Sequence, residues 1–382
     1  MKIKPIRMHG IFAIDKPSGI SSSRCISDLQ HIFTNSAIFQ DDLNEMKDNA
    51  IKNLSTDKSW SKERINKKVS KIKIKIGHGG TLDPLASGVL VVGLGSGTKR
   101  LQHYLGECNK VYETKALLGI STTTGDSEGE ILTRNQVDHI TADTVKQSVQ
   151  RFIGDIKQTP PIFSALKMNG KPLYDYAREG KPLPFPIKTR DVKVPNIFIH
   201  PDHLLSREHG FEPIKSQLDD NGEPKENALF NNPTLNDSPL YFSSQYLQKC
   251  EDEGLPKTVG PPRLTKEPQD RLPMVHLTCD VSSGTYIRSL ISDIGRAMES
   301  SAYMVELIRV EQSEWKLGKN TFKFEDFHQP ESVWAPVLKR VLEEGDKVNV
   351  SELMDAAVAA ESIALDPDTE ESQRKRPITE VE

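Results

Sequence analysis

Apolar residues recur along the chain in short runs set between polar, glycine-rich and proline-rich stretches, and most runs have the length of strands. "IFAI" (11–14), "GVLVVGLG" (88–95), "KVYETKALLG" (110–119) and "YMVELIRVE" (303–311) are predicted strands. "KIKIKI" (71–76) alternates strictly, which predicts a strand with Ile72, Ile74 and Ile76 inward and Lys71, Lys73 and Lys75 outward. Those lysines either protect a sheet edge or meet phosphate. Helical spacing relates Cys25, Leu29, Ile32 and Phe33, behind a cluster Ser21–Ser23 that offers an N-cap. Val145, Val149, Phe152 and Ile153 mark a second helix, beginning after Thr141 or Asp143. "TKRLQHYL" (98–105) reads as a short helix. In "TPPIFSALKMNGKPLYDYAREGKPLP" (159–184) a proline-led strand, a turn at Asn169–Gly170 and a helix near 172–179 are expected. "PMVHLTCDVSSGTYIRSLISDIGRAM" (273–298) reads as strand, tight turn and helix, with Ile287, Leu290, Ile291 and Ile294 on one helical face. Neighbouring strands are joined too tightly for parallel crossovers. The expected class is therefore α+β, with a mixed, largely antiparallel central sheet.

Two stretches break the pattern. Residues 34–70 are polar and partly helical in pattern, and residues 201–270 contain nine prolines and little periodicity, so the second is expected to be loosely ordered. Beyond about residue 343 the chain is acidic, and a disordered tail is expected over 343–382.

Charge follows the same division. The chain's net charge is −4, yet 343–382 carries −8 and 201–270 carries −6, leaving +10 on the rest. A basic body suits a polyanionic partner. No apolar run approaches the roughly 18 residues of a membrane span, and no membrane partner is expected. The four cysteines are scattered without a CxxC pair, which fits a reducing compartment better than a disulfide scaffold.

Several chemical motifs fail on inspection. In "GLGSGTK" (93–99) the threonine precedes the lysine, so it is not a phosphate loop of the usual order. His200, His203 and His209 sit at the edge of the proline-rich stretch, and no metal is expected there. "GHGGTLDPLASGVL" (77–90) stands apart, because it presents one carboxylate, Asp83, among glycines that let another backbone approach. A lone carboxylate suits a nucleophile or base; an Asx-turn that ends a strand is the competing explanation.

"GHGGTLDPLASGVL" together with "KVYETKALLGISTTTGDSEGEI" resembles the TruB-type family of RNA pseudouridine synthases. The same order of motifs continues in "DKPSGISS", "TPPIFSALKMNGKPLYDYAREG", "SSGTYIRSLISDIG" and "YMVELIR", over most of 10–32, 71–192 and 272–312. Within that family the chain looks like the eukaryotic stand-alone branch, the Pus-four type, which makes the pseudouridine at position 55 of the tRNA T-loop. It departs from the bacterial pattern in lacking a clear PUA domain and in carrying the 34–70 and 201–270 insertions.

The resemblance implies a pseudouridine synthase fold with a catalytic cleft, formed by a catalytic domain over 10–342. It implies Asp83 as nucleophile on a flipped-out uridine, attacking C1′ of the sugar or C6 of the base, with Arg288 as its cation and Tyr112 stacking on the base. Desolvation raises a carboxylate's pKa by as much as ~3–5 units and an adjacent arginine lowers it by about 1–3, so a nucleophilic aspartate in a closed pocket is served by such a partner. Tyr286 and Leu307 match further pocket residues. His78 matches a residue that assists insertion into the RNA loop, and Asp126, Lys16, Lys110 and Lys167 are candidate pocket or backbone contacts. No cofactor or metal is implied. The implied partner is the T-arm of tRNA, with other RNAs bearing a T-loop-like element as a further option, and no guide RNA. Nucleus and mitochondrion are the expected locations. The competing functions are a tRNA-binding or tRNA-folding chaperone with an idle or secondary catalytic site, and a base glycosylase using the same carboxylate.

Overall fold

The structure, a computed structural model, describes residues 8–57, 59–215, 229, 232–267 and 271–364. The chain divides into two units, Met1–Leu105 with Glu311–Glu382, and Gly106–Val310. These boundaries fall within the 10–342 stretch expected to be the catalytic domain.

In the first unit the strand Gly10–Lys16 runs antiparallel to Ser87–Leu94, with Phe12 opposite Val92, and Ile76–His78 lies along the other edge of Ser87–Leu94. Phe322–Lys323 joins Gly10–Lys16 in parallel, so the strand set is mixed. Its core is aromatic. Phe12 packs on Phe33, Phe322 and Phe327, and Phe33 on Phe39 (4.9 Å between ring centroids) and Trp334 (5.7 Å). The helix Ser22–Asn35 supplies Phe33 together with buried Cys25 and Leu29, the face its spacing predicts, and Ser21 caps it by accepting from the Arg24 amide.

The polar stretch 34–70 is folded as the helices Gln40–Ser55 and Lys62–Val69, held down by buried Phe39, Leu43, Ile65 and Val69. The strand expected over 71–76 is confined to Ile76–His78. Residues 72–75 keep the alternation, with Ile74 buried and Lys73 and Lys75 exposed. The backbone of Ile74, however, is taken by the preceding helix: its amide donates to Thr34 Oγ1 (3.2 Å) and its carbonyl accepts from Gln30 Nε2 (2.9 Å). The disordered tail is corrected as well. Residues 343 and 344 complete the helix Glu331–Glu344, and Val350–Ala364 is a further helix with Val350 and Met354 buried. Its acids Glu352 and Asp355 face solvent, so an acidic composition conceals an amphipathic helix. Residues 365–382, with "RKRP", lie outside the described residues.

In the second unit Met274–Val281 pairs antiparallel with Asn196–Ile199 on one edge and with Lys110–Leu118 on the other, and Ala302–Gln312 lies next to Lys110–Leu118. A second antiparallel pair joins Gly154–Gln158 to Arg190–Val194. The expected proline-led strand is thus displaced: the strand ends at Gln158, before prolines that cannot donate to a ladder. The helix Ala142–Gln150 begins at a Thr141 cap. The hairpin turn at Asn169–Gly170 has both residues at positive φ (52° and 78°), as a two-residue turn of this kind requires. Within 201–270, expected to be loosely ordered, Ser244–Glu253 is a helix capped by Ser243 and closed by Gly254 at φ 68°.

Candidate active site

In the first unit, Asp83 lies half-buried in the loop 79–86, between the strands Ile76–His78 and Ser87–Leu94. The loop is fastened on both sides of the carboxylate. Ser22 Oγ accepts from the Leu82 amide (2.8 Å) and donates to the Leu82 carbonyl (2.9 Å). The Gly19 amide donates to the Pro84 carbonyl (2.8 Å), and Ser18 Oγ to that of Leu85 (2.6 Å). At the loop's start Gln312 Nε2 donates to the Gly79 carbonyl (2.6 Å), and at its end Asp15 accepts from the Gly88 amide (3.1 Å). A Cβ at position 79 would stand 2.6 Å from Tyr104 Cβ, which accounts for glycine in the "GHGG" run. "DKPSGISS" and "GHGGTLDP" are therefore two halves of one support. His78 is half-buried in the strand that enters the loop.

Lys16 does not have the placement of a phosphate contact. It is 0% exposed, and its ammonium donates to the carbonyls of Pro17 (2.8 Å) and Ile20 (2.6 Å), so it braces the turn that carries Ser18 and Gly19.

In the second unit, Arg288 opens the helix Ile287–Ala297 and is buried. Its Nη1 donates to the Thr124 carbonyl (2.8 Å), its Nη2 to the Phe163 carbonyl (2.7 Å), and its Nε faces Asp126 Oδ2 at 3.6 Å. Asp126 is buried too, its Oδ1 accepting from Thr124 Oγ1 (2.6 Å) and the Glu128 amide (3.0 Å). The polar loop is tied to the strand Ala302–Gln312 by Met304, whose amide donates to Gly125 and whose carbonyl accepts from Ser127. Gly125, at φ +79°, lets that loop lie against Arg288: a Cβ there would be 3.3 Å from the arginine's own Cβ. The run 158–163 grips the same helix start. Gln158 brackets Tyr286 through both backbone groups (2.8 and 3.1 Å), and Ser289 Oγ donates to the Thr159 carbonyl (2.8 Å). Arg288, Asp126 and half-buried Tyr286 are thus brought together by "TTTGDSEGE" and "TPPIFSA".

Tyr112, on Lys110–Leu118, and Leu307, on Ala302–Gln312, are both buried. Arg309, two residues beyond Leu307 and therefore on the same face of its strand, donates to the Tyr112 hydroxyl (3.3 Å), with its guanidinium 5.9 Å from the ring centre. Sequence reading missed Arg309, which sits in a strand pattern where a polar residue is taken to face outward, yet it is 1% exposed. It missed Ser22 because a serine cluster before a helix reads as a cap.

Lys110 is another brace. Its ammonium bonds Ser283 Oγ (3.2 Å) and the Cys108 carbonyl (3.4 Å), and burial lowers its pKa. Lys167 is exposed at the base of the Asn169–Gly170 hairpin. His200 stacks on His276 (3.8 Å) and bonds Thr278 Oγ1, whereas His209 bonds the Leu272 carbonyl. Among the described residues no three His, Cys, Asp or Glu side chains are grouped to hold a metal ion, and no helix is long and apolar enough to cross a membrane.

Residues 67–204 match the family model described as TruB family pseudouridylate synthase (N terminal domain). The chain is 46% identical to tRNA pseudouridine synthase 4 of Saccharomyces cerevisiae, over 90% of this chain and 87% of that protein. It is 36% identical to tRNA pseudouridine synthase 4 of Schizosaccharomyces pombe, over 84% and 83%. Among solved structures, a Cbf5-Nop10-Gar1 complex aligns at 20% identity with a TM-score of 0.44, covering 91% of this chain and 59% of that one.

Proposed function

The chain belongs to the TruB family of pseudouridine synthases, and from that premise we propose that it isomerises uridine to pseudouridine in tRNA, at position 55 of the T-loop. One observation carries the chemical part: a single half-buried carboxylate, Asp83, on a loop fastened by hydrogen bonds on both sides. Preorganisation of this kind suits a nucleophile, whose geometry must be set before the substrate arrives.

The reaction breaks the bond from N1 to C1′, joins C5 to C1′, releases the proton of C5 to solvent, and leaves N1 to take up a proton in its place. Under this reading Asp83 forms the covalent adduct at C1′ or C6, and Arg288 is the cation that serves it. Tyr112 takes the extruded base, whose lost stacking an aromatic ring offsets by roughly 1–3 kcal/mol. Its hydroxyl, which accepts a hydrogen bond from Arg309, takes part under this reading in removal of the C5 proton. Tyr286 and Leu307 are the proposed further contacts to the base, and exposed Lys167 the proposed contact to the RNA backbone. Nuclear and mitochondrial tRNAs are the proposed pools.

The test is positional. In tRNA from cells lacking this chain, uridine 55 should remain unmodified, and re-expression should restore pseudouridine there. Pseudouridine 55 persisting without the chain would overturn the assignment of site.

A further inference from the structure

Shortly before the loop of Asp83, the chain carries a run of cations that the isomerisation does not use. Lys62, Arg64, Lys67, Lys68, Lys71, Lys73 and Lys75 are all exposed, and Glu63 is the one acid between Ser61 and Ile76. Among the described residues none of the seven is held in an ion pair. A helix built only for solubility places carboxylates one turn from its lysines. The helix Lys62–Val69 has one carboxylate so placed, Glu63 a turn before Lys67, with no ion pair between them, whereas Arg64 and Lys68, which repel each other at that spacing, both lie over the Trp60 ring, at 5.1 and 4.6 Å from its centre. The indole holds like charges side by side.

The strip is also fixed in place. Ser61 caps the helix, and buried Ile65 and Val69 anchor its inner face. Ile74, bonded by Gln30 and Thr34, sets Lys73 and Lys75 outward. Lys73 guards no sheet edge, because the pairing with Ser87–Leu94 stops at the Lys75 carbonyl, which accepts from the Gly95 amide (2.7 Å). From Lys75 the chain passes directly into Ile76–His78 and the Asp83 loop.

We propose that this strip is a second RNA-docking surface, which holds the phosphodiester backbone of the tRNA; the inference rests on the tRNA reading above. Contacts to phosphate carry no base preference, so the strip strengthens binding uniformly across tRNA sequences. Each phosphate neutralised contributes about −0.7 to −0.9 to the slope of log K against log salt.

The experiment compares the full chain with the variant Arg64→Gln/Lys67→Gln/Lys68→Gln/Lys71→Gln in equilibrium binding to an unmodified tRNA transcript, between about 50 and 200 mM salt. Loss of four contacts should weaken binding at least about tenfold at the lower salt and make the slope shallower by about 3. The charge-preserving variant Lys67→Arg/Lys68→Arg/Lys71→Arg should keep both. Thermal unfolding confirms that the variants are folded. Equal slopes for wild type and the glutamine variant overturn the strip and leave the tRNA reading standing. Equal losses in the arginine and glutamine variants also overturn it, since charge would then not be the cause. A wild-type chain that does not bind tRNA overturns both.

Discussion

The hydroxyl of Ser22 accepts a hydrogen bond from the amide of Leu82 (2.8 Å) and donates one to its carbonyl (2.9 Å), so the residue before Asp83 is held by both of its backbone groups. Both residues are buried. Ser22→Ala leaves that amide and carbonyl without the hydroxyl, at a cost of roughly 1–3 kcal/mol, measurable by urea denaturation. It also frees the loop, and a shift of about 1 Å at a nucleophile can lower turnover on the order of 10²-fold. The expected result is a fall in kcat with tRNA binding retained. Unchanged kcat in a destabilised protein would make Ser22 a structural residue only.

Arg288 and Asp126 form a buried pair, with the guanidinium also donating to two carbonyls. Asp126→Asn preserves shape and removes the charge. Breaking one side of a buried pair costs roughly 3–5 kcal/mol, and the remaining carbonyl partners place this case near ~3 kcal/mol. The change should appear in the denaturation midpoint and be accompanied by loss of isomerisation. A variant as stable and active as wild type would remove Asp126 from the account.

Tyr112 separates two roles. Tyr112→Phe keeps the ring and removes the hydroxyl that Arg309 contacts, so tRNA binding should be unchanged while turnover falls by about 10²–10⁴-fold. Tyr112→Ala should add a loss of binding equivalent to roughly 1–3 kcal/mol of stacking. If the phenylalanine variant turns over normally, the hydroxyl has no part in proton removal.

Much of this was legible before the structure. The runs 88–95, 110–119 and 273–298 became the expected elements because their local pattern and their final burial agree. Asp83 stands out as the one carboxylate in a run made largely of glycine and small or apolar residues. What could not be read depended on contacts distant in sequence. The alternation of 71–76 reads as a strand, but Gln30 and Thr34 take the backbone of Ile74. Lys16 and Lys110 are candidate pocket or backbone contacts in the sequence, but Lys16 bonds two carbonyls in the interior and Lys110 one carbonyl and a serine hydroxyl. The helix Val350–Ala364 hides behind acids on its outer face. Arg309 had no signal of its own, since its partner lies on another strand.

Asp293 gives the fold a pH dependence. Burial raises its pKa from 3.8 to about 7, against the opposing pull of Arg296 at 3.3 Å. Between those values the folded chain keeps a proton that the unfolded chain has released. Stability from this residue is therefore complete below about pH 4 and falls as pH rises towards 7, by at most ~4 kcal/mol. Asp293→Asn should flatten the profile and raise stability at pH 8 relative to wild type. Thermal unfolding from pH 5 to pH 8 checks this, and parallel profiles for the two proteins would contradict it.

The central claim is that Asp83 is the nucleophile of a tRNA uridine isomerase. Isomerisation expels the hydrogen on uridine C5, so tritium release from tRNA transcripts labelled at that carbon reports the reaction directly. Wild type should release tritium and Asp83→Asn should release none while binding the transcript as tightly. Release by the Asp83→Asn protein at the wild-type rate, or none from wild type despite tight binding, would contradict it.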